Sequence, residues 1–342
     1  MRIVYFQGVG YLIKGIYVLD DCDLIYCDEV KKEINQNIEI LAPPQTKESI
    51  LENKGLLADV DVLFSGWGAP KLDKTLLDYA PNLKVVFHGA GSAKKVVSDV
   101  FWERGIILTT AAKANAIPTA EFALSQIIFS LKRGWYYVFN MKECKENIKR
   151  EKVFGAYGST VGIISLGAVG CHVARLLQNF DVNVIAYDPY VSQEIASGLN
   201  VKLHSLEEVF CLADVVSLHT PYLPETEGMI TGQHIASMKN KATLINTARG
   251  QIVRQEEMLD VLLNRPDLYA VLDVTHPWKI KPQSKLYRLY ELQNVIMTPH
   301  IAGSQSTECF RMGRFMLDEL KRFIKKEPLY GQVTKEQISL MA

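Results

Sequence analysis

Short β-branched runs alternate with helix-length amphipathic segments along this chain, and the series is run through twice. RIVYF, IEIL, VDVLF, LKVVFH and IILT come before residue 110; TVGIIS, NVIAY, ADVVSLH, ATLIN, YAVLDV and NVIMT follow, with helical stretches such as CHVARLLQNF between the early members. Strands joined by helical crossovers give parallel sheets covered by helices, and two such units are more economical than one very wide sheet. Between the series, IPTAEFALSQIIFSLKR places Ala120, Leu124, Ile127, Ile128 and Leu131 at three- and four-residue spacing, with Pro118 suited to a first helical turn. One long helix with a buried face is predicted there, and a final helix from Ser306 to Lys326. No internal repeat or low-complexity segment interrupts this order.

Composition narrows the function classes. The 342 residues, 48% hydrophobic and 22% charged, can bury a large core. Lys plus Arg equals Asp plus Glu at 38 each, so no bulk positive charge favours nucleic acid or an anionic membrane. The amino-terminal stretch is interrupted by Lys14 and several glycines, and no apolar run reaches the ~18 residues a span needs. Neither nucleic acid nor membrane is therefore an expected partner, and a cytoplasmic location is predicted. The cysteines at 22, 27, 144, 171, 211 and 309 form no Cys-x-x-Cys pair, and no histidines cluster at metal spacing. Reduced thiols and no metal are expected.

VGIISLGAVG, residues 161–170, nearly spells the Gly-x-Gly-x-x-Gly fingerprint of a dinucleotide-binding turn. Ser165 stands at the first glycine position; Gly167 and Gly170 keep the second and third. TVGIIS is a buried-type strand, and CHVARLLQNF is a helix whose amino terminus would face a pyrophosphate. The next strand, NVIAYDP, ends in Asp188, eighteen residues beyond Gly170. A carboxylate there accepts hydrogen bonds from both adenine-ribose hydroxyls and repels a 2′-phosphate, which favours NAD over NADP. The first glycine mainly permits the tight turn, and serine is the mildest side chain to set there, so Ser165 reads as a tolerated variant.

Three further segments, LHTPYLPETEGMI at 218–230, LINTARGQIV at 244–253 and TPHIAGS at 298–304, join GAGS at 89–92 and AEFAL at 120–124. Together they closely resemble the D-isomer-specific 2-hydroxyacid dehydrogenases, in that family's order and spacing from about residue 60 to residue 310. The resemblance implies an α/β protein of two doubly wound parallel-sheet domains: a flavodoxin-like substrate domain of residues 1–111 and 302–342, with a Rossmann NAD-binding domain of residues 112–301 inserted in it. It also implies a homodimer acting on a small 2-hydroxy or 2-oxo acid.

By the same resemblance, Arg249 binds the substrate carboxylate and polarises the adjacent carbonyl, a task for a planar, permanently charged donor. His300 is the general acid that protonates the carbonyl oxygen as hydride arrives, and the base in reverse. The backbone amides of Ala90 and Gly91 hold the substrate carboxylate from the opposite wall, and His88 lines the site beside them. Ala168 and Val169 meet the pyrophosphate beside Gly167 and Gly170. His219, Thr220, Pro221 and Thr226 flank the ribose and phosphates, Asp273 receives the nicotinamide carboxamide, and the carbonyls of Thr247 and Ala248 flank the same ring.

One family residue is missing. The glutamate that hydrogen-bonds the catalytic histidine lies five positions after the aspartate in the family, whereas this chain reads Asp273-Val274-Thr275-His276-Pro277-Trp278. Trp278 occupies the glutamate position. Two functions stay open on sequence alone: an NAD-dependent oxidoreductase of reduced or altered activity, and a non-catalytic NAD(H)-binding sensor or regulatory protein derived from the same family.

Overall fold

The computed structural model describes residues 4–6, 9–151, 153 and 155–341. The chain divides into two compact units, Met1–Asn115 with Ser304–Met341, and Ala116–Gly303. The second unit is thus inserted in the sequence of the first.

In the first unit β1 (Val4–Phe6) and β2 (Val9–Tyr11) form an antiparallel pair of their own. The main sheet contains β3 (Lys14–Val18), β4 (Glu39–Ile40), β5 (Val62–Ser65), β6 (Val85–His88) and β7 (Ile107–Thr110), ordered β7-β6-β5-β3-β4 and all parallel. Numbered from β3, that is the doubly wound 2-1-3-4-5 order. In β5 and β6 all four residues are buried, because helices cover both faces of the sheet and leave no solvent side for polar residues to alternate onto.

The second unit arranges β8 (Thr160–Ile164), β9 (Asn183–Tyr187), β10 (Lys202–Leu203), β11 (Val215–Leu218), β12 (Thr243–Asn246), β13 (Tyr269–Leu272) and β14 (Val295–Met297) in the order β10-β9-β8-β11-β12-β13-β14, again parallel. The order reverses between β8 and β11, which is where open α/β sheets bind ligands, outside the carboxyl ends of the strands. The helix Ala168–Leu177 buries Val173, Ala174 and Leu177 in the same core as Val161 and Ile163 of β8. Full burial of one such aliphatic side chain is worth about 1.5–3 kcal/mol, so this helix is fixed on the strand whose turn it continues.

The chain closes in the first unit. The helix Phe310–Lys325 packs Met312, Met316, Leu317 and Leu320 into that unit's core, and β15 (Gln332–Val333) adds antiparallel to β7. Glu319, buried on the same helix, accepts hydrogen bonds from Thr109 Oγ1 at 2.8 Å and from the Tyr330 and Gly331 N–H groups at 2.9 Å.

Several local expectations differ from the structure. RIVYF does not open the parallel sheet: its described part, β1, pairs only with β2, and Arg2 and Ile3 lie outside the described residues. The sheet's first strand is KGIYV, β3, hidden in sequence by Lys14 and Gly15. The long helix runs Ala112–Leu131, so Pro118 stands inside it rather than in its first turn. Ala112, Ala114 and Ala116, strong helix formers, carry the helix upstream past the one hydrogen bond the proline removes. The two-residue strands β10 and β15 are too short to leave a pattern.

Candidate active site

Every residue assigned to chemistry or cofactor in the second unit falls at or just beyond the carboxyl end of a strand of its sheet, apart from Thr226. The turn 165–167 and the start of the helix Ala168–Leu177 follow β8, Asp188 follows β9, and His219, Thr220 and Pro221 follow β11. Thr247, Ala248 and Arg249 follow β12, Asp273 follows β13, and His300 lies three residues past β14. Parallel topology alone gathers these side chains from six separate stretches of sequence onto one edge.

The glycine turn is intact without its first glycine. Ser165 has φ of 75°, the left-handed region a glycine would take at no cost and a serine takes at about 1 kcal/mol. Its hydroxyl lies 2.9 Å from Thr220 Oγ1, an added hydrogen bond that offsets this strain. A Cβ on Gly170 would sit 2.0 Å from the Ser165 carbonyl oxygen, so the third position accepts only glycine if helix and strand are to keep this distance. Gly167 is exposed and a Cβ there would meet nothing within 4 Å, leaving the helix amino terminus and the exposed Ala168 open to an approaching phosphate. Val169 is half-buried behind them.

Asp188 is half-buried and fastened to that turn. Its Oδ2 accepts the Leu166 N–H at 2.8 Å, and its Oδ1 accepts the N–H groups of Tyr190 and Val191 at 2.8 and 3.2 Å. A carboxylate offers about four lone-pair sites, so one remains for a ribose hydroxyl. Just past the end of β11, the His219 Nε2 lies 3.0 Å from Ser217 Oγ while its Nδ1 is buried with no partner, and burial holds the imidazole near a pKa of about 4 and hence neutral. Thr226 Oγ1 is occupied within its own loop, donating to Pro221 O at 2.7 Å and accepting from Leu223 N at 2.8 Å.

At the end of β12, Asn246 shapes the Thr-Ala-Arg turn: its Oδ1 accepts the Ala248 N–H and its Nδ2 donates to the Arg249 carbonyl, both at 3.0 Å. Arg249 is half-buried, and its guanidinium donates to the Ala248 carbonyl at 2.6 Å. Among the described residues no carboxylate pairs with it; burial lowers its pKa from 12.5, and a guanidinium keeps its charge in proteins. A desolvated cation with four of its five N–H donors unspent is a receptor for an anion with two oxygens. The Ala248 carbonyl is spent on Arg249, and the buried Thr247 Oγ1 has no partner.

Asp273 is fully buried, and its task in the structure is the His300 loop. The carboxylate accepts from Thr298 Oγ1 at 2.6 Å and from the Ile301 and Ala302 N–H groups at 2.8 and 2.9 Å, while the Asp273 carbonyl accepts the His300 N–H at 3.1 Å. These bonds hold His300 at φ of 58°, with the residue open to solvent on one side and its ring partly enclosed. The Trp278 ring stands beside it, centroids 5.5 Å apart at 46°. Burial pushes the imidazole pKa below 6.5; Asp273 pulls it up and Arg249 pushes it further down.

The first unit revises two expectations. Ala90 is fully buried and its N–H donates to the His88 carbonyl at 2.8 Å, so it has no amide to offer a substrate. Gly91 is half-buried, and among the described residues nothing takes its N–H. His88 is buried too, rather than lining the site. It lies 2.9 Å from Ser65 Oγ and 3.1 Å from the Ser92 carbonyl, and so braces the GAGS loop from behind as a neutral ring, its pKa pushed down to about 4 by burial.

Sequence reading missed Asn246, which lies inside the LINTARG segment and was therefore findable, and Gln255, which no motif marks. The donor set fits a dinucleotide. The open Gly167, the Ser165–Gly170 contact that seats the helix, and the orphaned His219 Nδ1 and Thr247 Oγ1 are features a phosphate-bearing, hydroxyl-rich ligand would use. Among the described residues no helix is long and apolar enough to cross a membrane, and no group of three or more His, Cys, Asp or Glu side chains could hold a metal ion.

Residues 127–302 match the model of the D-isomer specific 2-hydroxyacid dehydrogenase, NAD binding domain. The D-3-phosphoglycerate dehydrogenase of Methanocaldococcus jannaschii is 30% identical over 285 residues, 82% of this chain and 52% of that protein. Its counterpart in Mycobacterium tuberculosis is 31% identical over 257 residues, 74% of this chain and 47% of that protein. The chain thus spans about half the length of the curated relatives it matches. Among solved structures, the NAD-complexed D-isomer specific 2-hydroxyacid dehydrogenase of Lactobacillus delbrueckii ssp. bulgaricus superposes with a TM-score of 0.79 at 21% identity, covering 94% of this chain and 100% of that one. A phosphoglycerate oxidoreductase from Rhizobium etli gives 0.79 at 20% identity, covering 94% and 99%. At these identities the structural likeness establishes the fold.

Proposed function

We propose, from the premise that this chain belongs to the D-isomer specific 2-hydroxyacid dehydrogenase family and carries its NAD-binding domain, that it is an NAD-dependent oxidoreductase of a small 2-hydroxy or 2-oxo acid. The observation that carries this reading is Arg249, a half-buried guanidinium with no ion-pair partner among the described residues, on the strand edge that also bears His300. Such a cation is costly to bury unless an anion completes it. A 2-oxo acid carboxylate does so bidentately, and one of the two remaining N–H groups polarises the adjacent carbonyl.

NAD supplies the hydride acceptor when bound, and NADH the donor. Gly167, Ala168 and Val169 would hold its pyrophosphate, Asp188 its adenine ribose, and His219, Thr220, Pro221, Thr226, Thr247 and Ala248 the remainder. Asp273, its carboxylate already shared among three protein donors, contributes chiefly by fixing the His300 loop. In oxidation, neutral His300 takes the substrate hydroxyl proton on its unprotonated ring nitrogen; in reduction, imidazolium returns it to the carbonyl oxygen. Gly91 is proposed, on the family resemblance alone, as a further amide donor to a substrate oxygen. Homodimerisation is proposed from the family resemblance, to be checked by sedimentation. A cytoplasmic place of action is proposed on the scattered cysteines, all free among the described residues.

Trp278 at the glutamate position favours a second reading, an NAD(H)-binding protein without turnover. One assay separates the two: NADH oxidation followed by absorbance against glyoxylate, pyruvate, hydroxypyruvate and branched 2-oxo acids. Turnover of any of them supports the enzyme. NADH binding with no turnover across the panel leaves the sensor.

A further inference from the structure

We propose that Trp278 positions the His300 ring by direct ring contact, in place of a carboxylate's hydrogen bond, and that Gln255 is the residue that holds Trp278 there. The kinetic part of this proposal rests on the oxidoreductase reading; the geometric part does not.

A general acid–base histidine is useful only if its ring is held in one orientation, and a hydrogen-bonded carboxylate is the usual means. Trp278 cannot act in that way. Its indole has one N–H donor and no acceptor for an imidazole N–H. What it offers is a face: the two ring centroids lie 5.5 Å apart at 46°, within the range in which aromatic pairs attract. Trp278 is itself 58% exposed, so packing around the indole is too sparse to hold it over the histidine. The constraint must come through its backbone.

That backbone is clamped at the residues just before it. Gln255, the first residue of the helix Gln255–Asn264, grips His276 with both ends of its amide: Nε2 donates to the His276 carbonyl at 2.5 Å and Oε1 accepts the His276 N–H at 3.1 Å. Thr275 Oγ1 donates to the Pro277 carbonyl at 3.2 Å. From beneath, Gly250 lies so close that a Cβ there would be 2.4 Å from the Thr275 carbonyl carbon and 2.5 Å from the His276 nitrogen. A side-chain amide that satisfies both polar groups of one residue fixes the strand direction at that point, as a ladder partner would. Gln255 is thus joined to His300 through one loop and one ring contact, without touching any reacting atom.

Imidazole NMR of the full chain tests this, with the His300 resonances assigned by their loss in His300→Gln. Trp278→Leu should abolish the ring-current shift on the His300 ring protons. Gln255→Ala should move those protons most of the way to their Trp278→Leu positions. Gln255→Glu, which keeps the acceptor for the His276 N–H and loses the donor, should give an intermediate shift, and it serves in place of Gln255→Ala if that variant does not fold. In turnover, Gln255→Ala should lower kcat between about tenfold and a hundredfold, the usual cost of a displaced catalytic group, with KM for the 2-oxo acid and NADH affinity unchanged. His300 resonances unmoved in Trp278→Leu overturn the ring contact, and unmoved in every Gln255 variant overturn the clamp. Absence of turnover in the native chain overturns the oxidoreductase reading, while the NMR result still decides the geometry.

Discussion

Asp188 Oδ2 accepts the Leu166 N–H at 2.8 Å, so the carboxylate at the end of β9 is tied to the turn at the end of β8. One side chain therefore has two tasks, shaping the turn and meeting the adenine ribose. We expect NADH to bind more tightly than NADPH, because a 2′-phosphate would face this carboxylate. Asp188→Ala should narrow that preference and weaken both cofactors, since the turn loosens as well. Fluorescence titration with the two cofactors checks it; equal native affinities, or an alanine variant that improves NADPH with no loss of NADH binding, contradict it.

Arg249→Ala should abolish turnover of any 2-oxo acid found while leaving NADH binding in place. Truncating one partner of a buried bidentate ion pair costs roughly 3–5 kcal/mol, most of it the stranded anion's desolvation. Arg249→Lys should recover little, because an ammonium lacks the planar fork. Unchanged kcat/KM in either variant would remove Arg249 from the reaction.

The pH dependence of turnover follows from the lowered pKa of His300. Reduction consumes imidazolium, so its rate should climb as pH falls through 6.5 and below; oxidation consumes neutral imidazole and should be level through pH 7. In Trp278→Glu a carboxylate beside the ring stabilises imidazolium and raises the pKa, so the reduction profile should shift to higher pH. Reduction at pH 7 should then rise, within the ~10²- to 10⁴-fold that positioned acid–base catalysis supplies. A native reduction rate already level through pH 7, lowered by the substitution, is the opposite result.

His88 links acidity to stability in the first unit. Its folded pKa of about 4 lies below the ~6.5 of an unfolded histidine, so between those values the unfolded chain binds the extra proton. The stability it contributes is full above pH 6.5 and declines as pH falls toward 4, with about 2 kcal/mol lost by pH 5. His88→Gln removes that titration. In urea unfolding, the native chain should be the more stable of the two at pH 7 and lose most of its advantage at pH 5. A constant difference between the proteins over that range would falsify the assignment. His219, similarly depressed, is common to both and cancels.

Much of the candidate site could be read from sequence because its signals are local. The turn, its strand and its helix are contiguous, and so are LINTARG and TPHIAGS, so Gly167, Gly170, Arg249 and His300 could be singled out as candidates without knowing what lies beside them. The readings that changed all depended on a partner elsewhere in the fold. Ala90 looks like half of an amide pair until its N–H is seen to turn back to His88. Asp273 reads in sequence as a cofactor contact, and only the fold shows that Thr298, Ile301 and Ala302 also donate to its carboxylate, giving it the His300 loop to hold. Gln255 has no pattern at all, since its partner lies 21 residues away on a loop that meets it only when the sheet has formed.

By itself the sequence determined most of the longer strand runs, the two parallel α/β units and the types of residue at the ends of the strands, because hydrophobic periodicity and turn chemistry act between neighbours in the chain. By resemblance it also set Trp278 at the position of the family's glutamate. Only the tertiary structure decided what those residues do. Ser165 tolerates a left-handed φ because Thr220, 55 residues on, supplies its hydroxyl with a partner. Whether Arg249 is paired, and which way the His300 pKa moves, depend on burial and on charges brought together by strand order. Desolvation and hydrogen bonding act through space, and distances through space do not exist until the chain has folded.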